Sequence, residues 1–414
     1  FQSAISFVQR ELNETAGLLK FISLTWSSHF ALKIITLTVG WQIYIQTGSP
    51  LALGLIGLIQ FAPQFFLILP AGVIADKYNR RHILIICNIV QVFVAGFLLY
   101  YSVYKLDDGS VIPIYLILIL HGVAMSFEGP SSFAILPNLV KSEIFPRAVH
   151  YVNFFEEFGS LAGPIAAGIL IAYINEWVYL VALISFIVST LSAISLPDIG
   201  SGSGEIKQIN VKVLLSGFVY VWKTKIVLGT MTIDIVAMLF SSVMGMLPIF
   251  AIDILDIGSE GLGILRATPS IGALFAAMTL SQLPSLRYPG RMLIYSIIVF
   301  GSATITFALS TTLWISLVAL FIYGASDMIS MNIRQIIVQL VTPNNMRGRV
   351  MSVHSVITTG SNELGDFRAG LSASIVGIAP AIMIGGILTV SFSIIWWFLF
   401  PGLKEVKDMK DLNN

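Results

Sequence analysis

The sequence predicts an all-α polytopic membrane protein, with twelve transmembrane helices arranged as two pseudo-symmetric six-helix bundles. Three observations support this fold class: the composition, a series of long apolar segments, and a pattern of residues repeated in the two halves. Apolar residues make up 56% of the 414 residues and charged residues only 11%, whereas a soluble domain carries about 25% charge. A chain this apolar is expected to have the lipid bilayer as its main partner.

The apolar segments fix the number of predicted spans. A spanning helix needs about 20 mostly apolar residues, and twelve stretches reach that length. The predicted spans lie near 18–47, 51–74, 82–104, 113–138, 147–174, 177–197, 225–251, 259–283, 291–311, 313–342, 349–377 and 379–401.

A charged stretch containing Gly and Ser, residues 198–212, divides the chain near its midpoint. The sequence therefore predicts an N-terminal six-helix bundle (1–197), a cytoplasmic linker (198–224), a C-terminal bundle (225–401) and a cytoplasmic tail (402–414).

The two halves also repeat one pattern. Gly122, Arg147 and Gly163 recur as Gly324, Arg349 and Gly365, each at an offset of 202 residues. Because order and offset agree, the pattern indicates an internal duplication, and paired repeats with binding at their interface are typical of secondary transporters.

Orientation follows from the basic residues. If both termini are cytoplasmic, 18 of the 23 Lys and Arg residues fall in the cytoplasmic loops and tails. Positive charge is retained on the cytoplasmic side of a membrane, so both termini are expected inside. The first span is expected to act as an uncleaved anchor.

The most informative short motif lies between the second and third spans, where residues 72–81 read Gly-Val-Ile-Ala-Asp-Lys-Tyr-Asn-Arg-Arg. The loop resembles the signature loop of the Major Facilitator Superfamily, with nine of its ten positions compatible. The exception is Asn79, where that superfamily usually has Gly, and Asn tolerates the left-handed backbone that Gly supplies.

Further segments are similar to the enterobactin-exporter-like branch of that superfamily. They are Val39 to Tyr44, Thr47 to Gly54, Gly324 to Asp327 with Arg334 and Gln339, Thr342 to Val350, and Ser361 to Phe367. The resemblance implies a proton-driven exporter of a siderophore or drug in a bacterial inner membrane. Arg368 and Lys33 depart from the branch's usual residues, which leaves the substrate open.

Several predicted spans contain charged residues. A charge at a helix centre costs about 2.5–3.5 kcal/mol on insertion scales, so these residues are expected to line a polar cavity rather than to face lipid. The resemblance implies that spans 1, 4, 7 and 10 line it. The predicted substrate and proton pathway comprises Lys33, Glu128, Glu156, Asp234, Asp327, Arg334, Glu363, Asp366 and Arg368.

Within that set, Glu128 and Asp327 are the first candidates for proton coupling because they lie near the middle of spans 4 and 10. Lys33 lies too deep in span 1 to reach the membrane surface, so we expect it to pair with a carboxylate, first of all Glu128. A permanent structural ion pair with Lys33 or Arg334 is the alternative for either carboxylate.

The signature loop predicts a cytoplasmic gate. Asp76 is expected to cap the start of span 11, because an anion is stabilised at a helix N-terminus. Its predicted companions are Gly72, Lys77, Arg80, Arg81, Arg347, Gly348 and Arg349. Simple anchoring of the loop by positive charge is the alternative for the cations.

The leading hypothesis is a transporter that exports a small molecule by alternating access, acting as a monomer and with protons as the coupling ion. An importer or metal-ion permease of the same fold is the alternative, followed by a receptor or scaffold and, last, an intramembrane enzyme. No phosphate-binding loop or zinc motif occurs in the sequence, so no cofactor, metal or nucleic acid is expected.

Asp76→Asn is expected to abolish most transport while the protein still folds and inserts, because Asp76 is the only carboxylate of the basic loop. Flux in proteoliposomes, compared at equal amounts of inserted protein, checks this. Transport at the wild-type rate would contradict the proposed role of Asp76.

Overall fold

The computed structural model describes residues 2–105, 110–141, 144–198, 211–282 and 288–401, and these are almost entirely helical, with no strand among them. The α-helices are α1 (Gln2–Thr47), α2 (Pro50–Lys77), α3 (Arg80–Lys105), α4 (Ile112–Leu139), α5 (Phe145–Ile174), α6 (Val178–Ser195), α7 (Val211–Lys223), α8 (Lys225–Ser241), α9 (Leu247–Ile249), α10 (Gly258–Ser281), α11 (Pro289–Leu309), α12 (Leu313–Val341), α13 (Asn344–Val376) and α14 (Ile378–Leu399).

All fourteen except α7 and α9 correspond to predicted spans, which confirms the all-α polytopic fold class. In the described part of the chain, nine segments are long and apolar enough to cross a membrane, and one of them, Arg147–Ser195, contains both α5 and α6. Neither α1 nor α13 is among the nine. Helix α13 is excluded because it carries the charged residues Glu363, Asp366 and Arg368.

Two details differ from the predicted spans. The seventh span is interrupted, because α8 ends at Ser241 and is followed by a 3-10 turn at Met244–Met246, by α9, and by a π-helical turn at Phe250–Ile254. Pro248 stands in the first turn of α9, where its missing N–H is tolerated, whereas inside a continuous helix it would remove a hydrogen bond.

The second difference is α7, which lies within the predicted linker and which the sequence pattern did not indicate. Of the α7 residues from 216 to 223, Gly217 and Val221 are buried, and Gly217 lies against the backbone of Arg349 at the start of α13. Residues 199–210 of the predicted linker and the predicted tail, 402–414, lie outside the described residues.

The helices form two compact units. The first unit contains residues 1–42 and 59–208, and the second contains residues 43–58 and 209–414. The end of α1 and the first part of α2 therefore pack with the C-terminal helices. The predicted division at the linker remains a prediction.

Each unit has its own core. In the first, Phe21, Leu24, Leu84 and Leu136 belong to one buried apolar cluster. A polar tie joins three helices of this unit: the carboxamide oxygen of Gln42 accepts hydrogen bonds from Ser102 (3.0 Å) and Tyr179 (2.8 Å). In the second unit, another cluster includes Val221, Met231 and Val350.

The repeated glycines make equivalent helix contacts in both halves. A Cβ on Gly122 of α4 would overlap the backbone carbonyl of Gln60 in α2, and one on Gly324 of α12 would overlap that of Pro269 in α10. The second glycine pair behaves alike: Gly163 brings α5 onto α1, and Gly365 brings α13 onto α8. Each glycine thus brings two helices of its own half together, and the two members of a pair do so for corresponding helices of the two repeats.

Gly324→Ala is expected to lower the stability of the protein, because the new methyl group must displace the backbone of α10. Overpacking of this kind costs about 1–3 kcal/mol. The measurement is the thermal unfolding temperature in detergent.

Gly129→Ala is the matched control, since the same methyl group on α4 would meet nothing within 4 Å. Without a clash, Ala is the better helix former, so this variant should be as stable as the wild type or more so. Equal stability of the two variants would contradict the close-contact role of Gly324.

Candidate functional site

In the first unit, the structure brings together polar side chains of α1, α4 and α5. Glu128 on α4 is half-buried, and its Oε1 accepts a 2.6 Å hydrogen bond from the hydroxyl of Ser28 on α1. The next residue, His29, lies close enough to interact electrostatically with both Glu128 and Glu156 of α5. Two of the predicted pathway carboxylates therefore share one histidine.

The sequence analysis did not single out Ser28 or His29, which are 100 and 99 residues from Glu128 along the chain. A signal was present in the run Thr25-Trp26-Ser27-Ser28-His29, four of whose five residues are polar although the surrounding span is apolar. Only in the folded protein do Ser28 and His29 of this run lie beside Glu128 of α4.

Lys33 lies further along α1, where the helix contacts α5. A Cβ built on Gly163 would be 2.6 Å from the Cβ of Lys33, and Lys33 itself is half-buried. The glycine thus makes room for the start of the lysine side chain. The pairing of Lys33 with Glu128 remains a prediction.

In the second unit, the central feature is an ion pair between Asp234 of α8 and Arg334 of α12. Arg334 Nη1 lies 2.6 Å from Asp234 Oδ1, and each side chain is only 1% exposed. Thr358 of α13 donates a 3.1 Å hydrogen bond to Asp234 Oδ2, and Arg334 donates a 3.3 Å hydrogen bond to Ser330. Because buried charges are tolerated only when paired, this pair fixes the junction of α8, α12 and α13.

Asp327 lies two helical turns before Arg334 on α12. It is half-buried, and it interacts electrostatically with both Arg334 and Asp234. Of the two carboxylates that interact with Arg334, Asp234 is therefore fully buried and ion-paired, and Asp327 is less enclosed.

Charged side chains also stabilise the interruption after α8. Arg368 of α13 donates hydrogen bonds to the carbonyls of Leu239 (3.0 Å) and Phe240 in the last turn of α8. Asp366 accepts a hydrogen bond from Ser242, and Arg266 of α10 donates one to the carbonyl of Met244. The arginine contacts satisfy backbone carbonyls that a broken helix would otherwise expose, and the contact of Asp366 with Ser242 joins two side chains.

The first part of α2 lies against α13, in a contact that we call the α2–α13 seam (residues 50–57 and 363–370). A Cβ on Gly370 would be 3.0 Å from the Cα of Gly54, so the two backbones touch. Glu363 is half-buried in this seam and lies directly against Gly57. In the same unit, the hydroxyl of Tyr44 at the end of α1 donates a hydrogen bond to Asp253 in the π-helical turn.

The arginines of the gate on the first unit, both at the start of α3, bind carbonyls near the ends of α2 and α6. Lys77 is exposed and lies 5.3 Å from the centre of the Tyr78 ring. Arg80 donates a 3.3 Å hydrogen bond to the carbonyl of Ala75, and Arg81 donates one to that of Ile194.

Gly72 has open space around its α-carbon. The surroundings of the Asp76 side chain and of Gly348 lie outside the described residues, although their backbones belong to α2 and α13. The predicted cap by Asp76 therefore remains a prediction.

On the second unit, Arg347 donates a 3.1 Å hydrogen bond to the carbonyl of Gln339, and Arg349 donates a 3.2 Å hydrogen bond to Ser216 of α7. Both arginines thus fix the start of α13 onto neighbouring segments. Across the described ranges, no group of three or more His, Cys, Asp or Glu residues could hold a metal ion.

A helical membrane protein with two units, each with ionisable side chains inside its spans, has the features of a membrane transporter. The family model described as transmembrane secretion effector, from the Major Facilitator Superfamily, matches residues 23–413. The chain belongs to this family and is an integral membrane transporter of a small-molecule substrate.

Curated relatives and solved structures agree with this assignment. The chain is 25% identical over 380 residues to the enterobactin exporter EntS of Escherichia coli, covering 90% of this chain and 88% of the relative. It is 24% identical over 374 residues to EntS of Citrobacter koseri, covering 89% and 87%.

Among solved structures, the fold is similar to a bacterial homologue of the human lysosomal transporter Spinster, described as inward-facing and unoccupied. The TM-score is 0.75 at 13% identity, covering 95% of this chain and 98% of that one. A POT family transporter in complex with a thioalcohol-conjugated peptide also gives a TM-score of 0.75, at 12% identity and with coverage of 94% and 97%.

Asp234→Asn is expected to destabilise the second unit, because it leaves the guanidinium of Arg334 buried without its counter-charge. Breaking one partner of a buried pair costs about 3–5 kcal/mol. The thermal unfolding temperature and the yield of monodisperse protein are the measurements.

The double variant Asp234→Asn/Arg334→Gln is the control, since it removes both charges and should recover most of the lost stability. A double variant no more stable than Asp234→Asn alone would contradict the charge-pair interpretation.

Proposed function

We propose that the protein is a secondary active exporter, which moves a small amphipathic molecule, a siderophore or a drug, in exchange for protons by alternating access. The observation that carries the substrate class is the relation to enterobactin exporters across about nine-tenths of the chain. The family description as secretion effectors supports the outward direction.

The arrangement of carboxylates supports proton coupling. Glu128 and Asp327 lie on corresponding helices of the two repeats, α4 and α12, and each interacts electrostatically with a basic residue on the same unit, His29 or Arg334. A carboxylate takes up a proton when its surroundings become apolar and releases it when a cation approaches. A change in the distance to that cation would therefore couple proton uptake to movement.

The α2–α13 seam supports alternating access. Gly370 lies against the backbones of Pro50 and Gly54, while the Glu363 side chain lies against Gly57, so part of the contact is between backbones. In the proposed cycle this seam separates while the cytoplasmic gate closes through Asp76, Lys77, Arg80, Arg81, Arg347, Gly348 and Arg349. The two gates would then never be open together.

The proposed cellular setting follows from the relatives and the charge distribution. The named relatives are bacterial, and most basic residues fall on one side of the predicted topology. We place the protein in the bacterial cytoplasmic membrane as a monomer, with both termini in the cytoplasm.

Proton coupling is tested in proteoliposomes with an imposed pH gradient. Glu128→Gln, Asp327→Asn and the double variant should lose gradient-driven flux of enterobactin, or of a cationic dye as a drug probe, because none of them can exchange a proton at the substituted position. Glu260→Gln, at an exposed carboxylate in the first turn of α10, is the matched control and should transport normally.

Full gradient-driven flux in the double variant would place the coupling residues elsewhere, with Glu363 and Asp366 next. A wild-type protein that moves these probes without responding to the pH gradient would contradict proton coupling itself.

A further inference from the structure

The junction of α8, α12 and α13 also contains a histidine, His354, which lies outside the predicted pathway. His354 lies one helical turn before Thr358 on α13, and residues four apart share a helix face. Thr358 binds Asp234, so His354 faces the same junction. It is only 8% exposed, and it interacts electrostatically with Asp234 and Arg334.

Three polar atoms at this junction are buried without a hydrogen-bond partner among the described residues: Nε2 of His354, Nε of Arg334, and Oδ1 of Asp234, which is in contact with Arg334 through the ion pair. Buried polar atoms are normally satisfied, and an exception needs an explanation. A second arrangement of the three side chains would offer these atoms new partners.

The charge state of His354 determines which arrangement is favoured. A neutral imidazole needs one donor contact and one acceptor contact, whereas a protonated imidazole has two N–H donors. The oxygens of Asp234 are engaged by Arg334 and Thr358. A proton on His354 would therefore place a second cation beside Arg334 while the only adjacent carboxylate is already occupied.

The structure offers Arg334 another partner. Asp327 lies seven residues earlier on the same helix, which is two turns away and on nearly the same face. Helical side chains lean toward the N-terminus of their helix, so Arg334 leans toward Asp327. Asp327 is half-buried, and it already interacts electrostatically with Arg334.

We propose that His354 is the pH-responsive positioning residue of the transporter, whose protonation transfers Arg334 from Asp234 to Asp327. A proton from solvent forms an N–H bond at Nε2, the imidazolium takes the place of Arg334 beside Asp234, and loss of the same proton reverses the exchange. The proposal rests on the proposed function for its role in transport, but the exchange itself can be measured without substrate.

Among the described residues of the packed helices, Tyr323 of α12 is buried and interacts electrostatically with Asp327, and Lys225 at the start of α8 is exposed. Tyr220 of α7 binds the carbonyl of Val341, Arg349 binds Ser216, and Lys223 is exposed. The side chain of Lys212 on α7 lies outside the described part. Helix α14 and residues 50–57 of α2 contain no titratable residue.

The direct test is a titration of 15N-labelled histidine by NMR, on the full chain in lipid nanodiscs without substrate. Glutamine variants of the five histidines, at positions 29, 82, 121, 150 and 354, assign each imidazole. The His354 signal is expected to titrate and to shift its midpoint in Asp327→Asn, because the alternative partner of Arg334 is lost. A His354 signal that does not titrate, or that ignores Asp327→Asn, overturns the proposal.

The second test is the pH profile of enterobactin flux in proteoliposomes. His354→Gln should change the pH profile of the wild type, because one titrating group is lost, while still transporting, and an unchanged profile overturns the proposal. His121→Gln is the matched control: His121 is also buried, but its ring is bound to Gln91 at 2.7 Å, so its removal should leave the profile unchanged. If His354→Gln does not fold, the response of a buried imidazole to Asp327→Asn decides the question.

The two proposals can fail separately. If the wild type shows no flux driven by a pH gradient but His354 titrates and responds to Asp327→Asn, proton-driven export is wrong and the exchange stands. If flux is proton-driven but His354 does not titrate, only the exchange is wrong.

Discussion

The absence of water inside a bilayer is the constraint on which the rest of this structure depends. A backbone or side-chain polar group in the hydrocarbon region must find its partner within the protein. The chain meets this requirement with helices throughout its described spans and with glycines that let helices touch at their backbones, as Gly324 does against Pro269. The same requirement explains why Asp234 and Arg334, each 1% exposed, are held together at 2.6 Å.

The interruption after α8 shows how the constraint is met where a helix is broken. Arg368 binds the last carbonyls of α8, Asp366 binds Ser242, and Arg266 binds the carbonyl of Met244. Arg368 is predicted as part of the substrate pathway, and its side chain here completes a helix end. Broken helices near the middle of a membrane are typical of transporter binding regions, so a supporting role and a place beside the pathway are compatible.

The charged residues divide into two groups by their surroundings. Asp234 and Arg334 are fully buried and bound to each other, whereas Glu128 and Asp327 are half-buried. A fully buried pair resists change because breaking it leaves an uncompensated charge. A rearrangement that separates Arg334 from Asp234 therefore requires another positive charge beside Asp234, and the proposed protonation of His354 would supply it.

The sequence by itself determined the fold class, the twelve long helices, the duplication and the superfamily. These features follow from the lengths of apolar segments and from local motifs, both of which depend only on residues that are close together in the chain. It also indicated which ionisable residues lie inside spans. Only the tertiary structure decided their partners: Ser28 for Glu128, Arg334 for Asp234, and the end of α8 for Arg368. These contacts join residues separated by 100 or more positions. Helix rotation and packing select such partners, and the order of residues along the chain does not encode them locally.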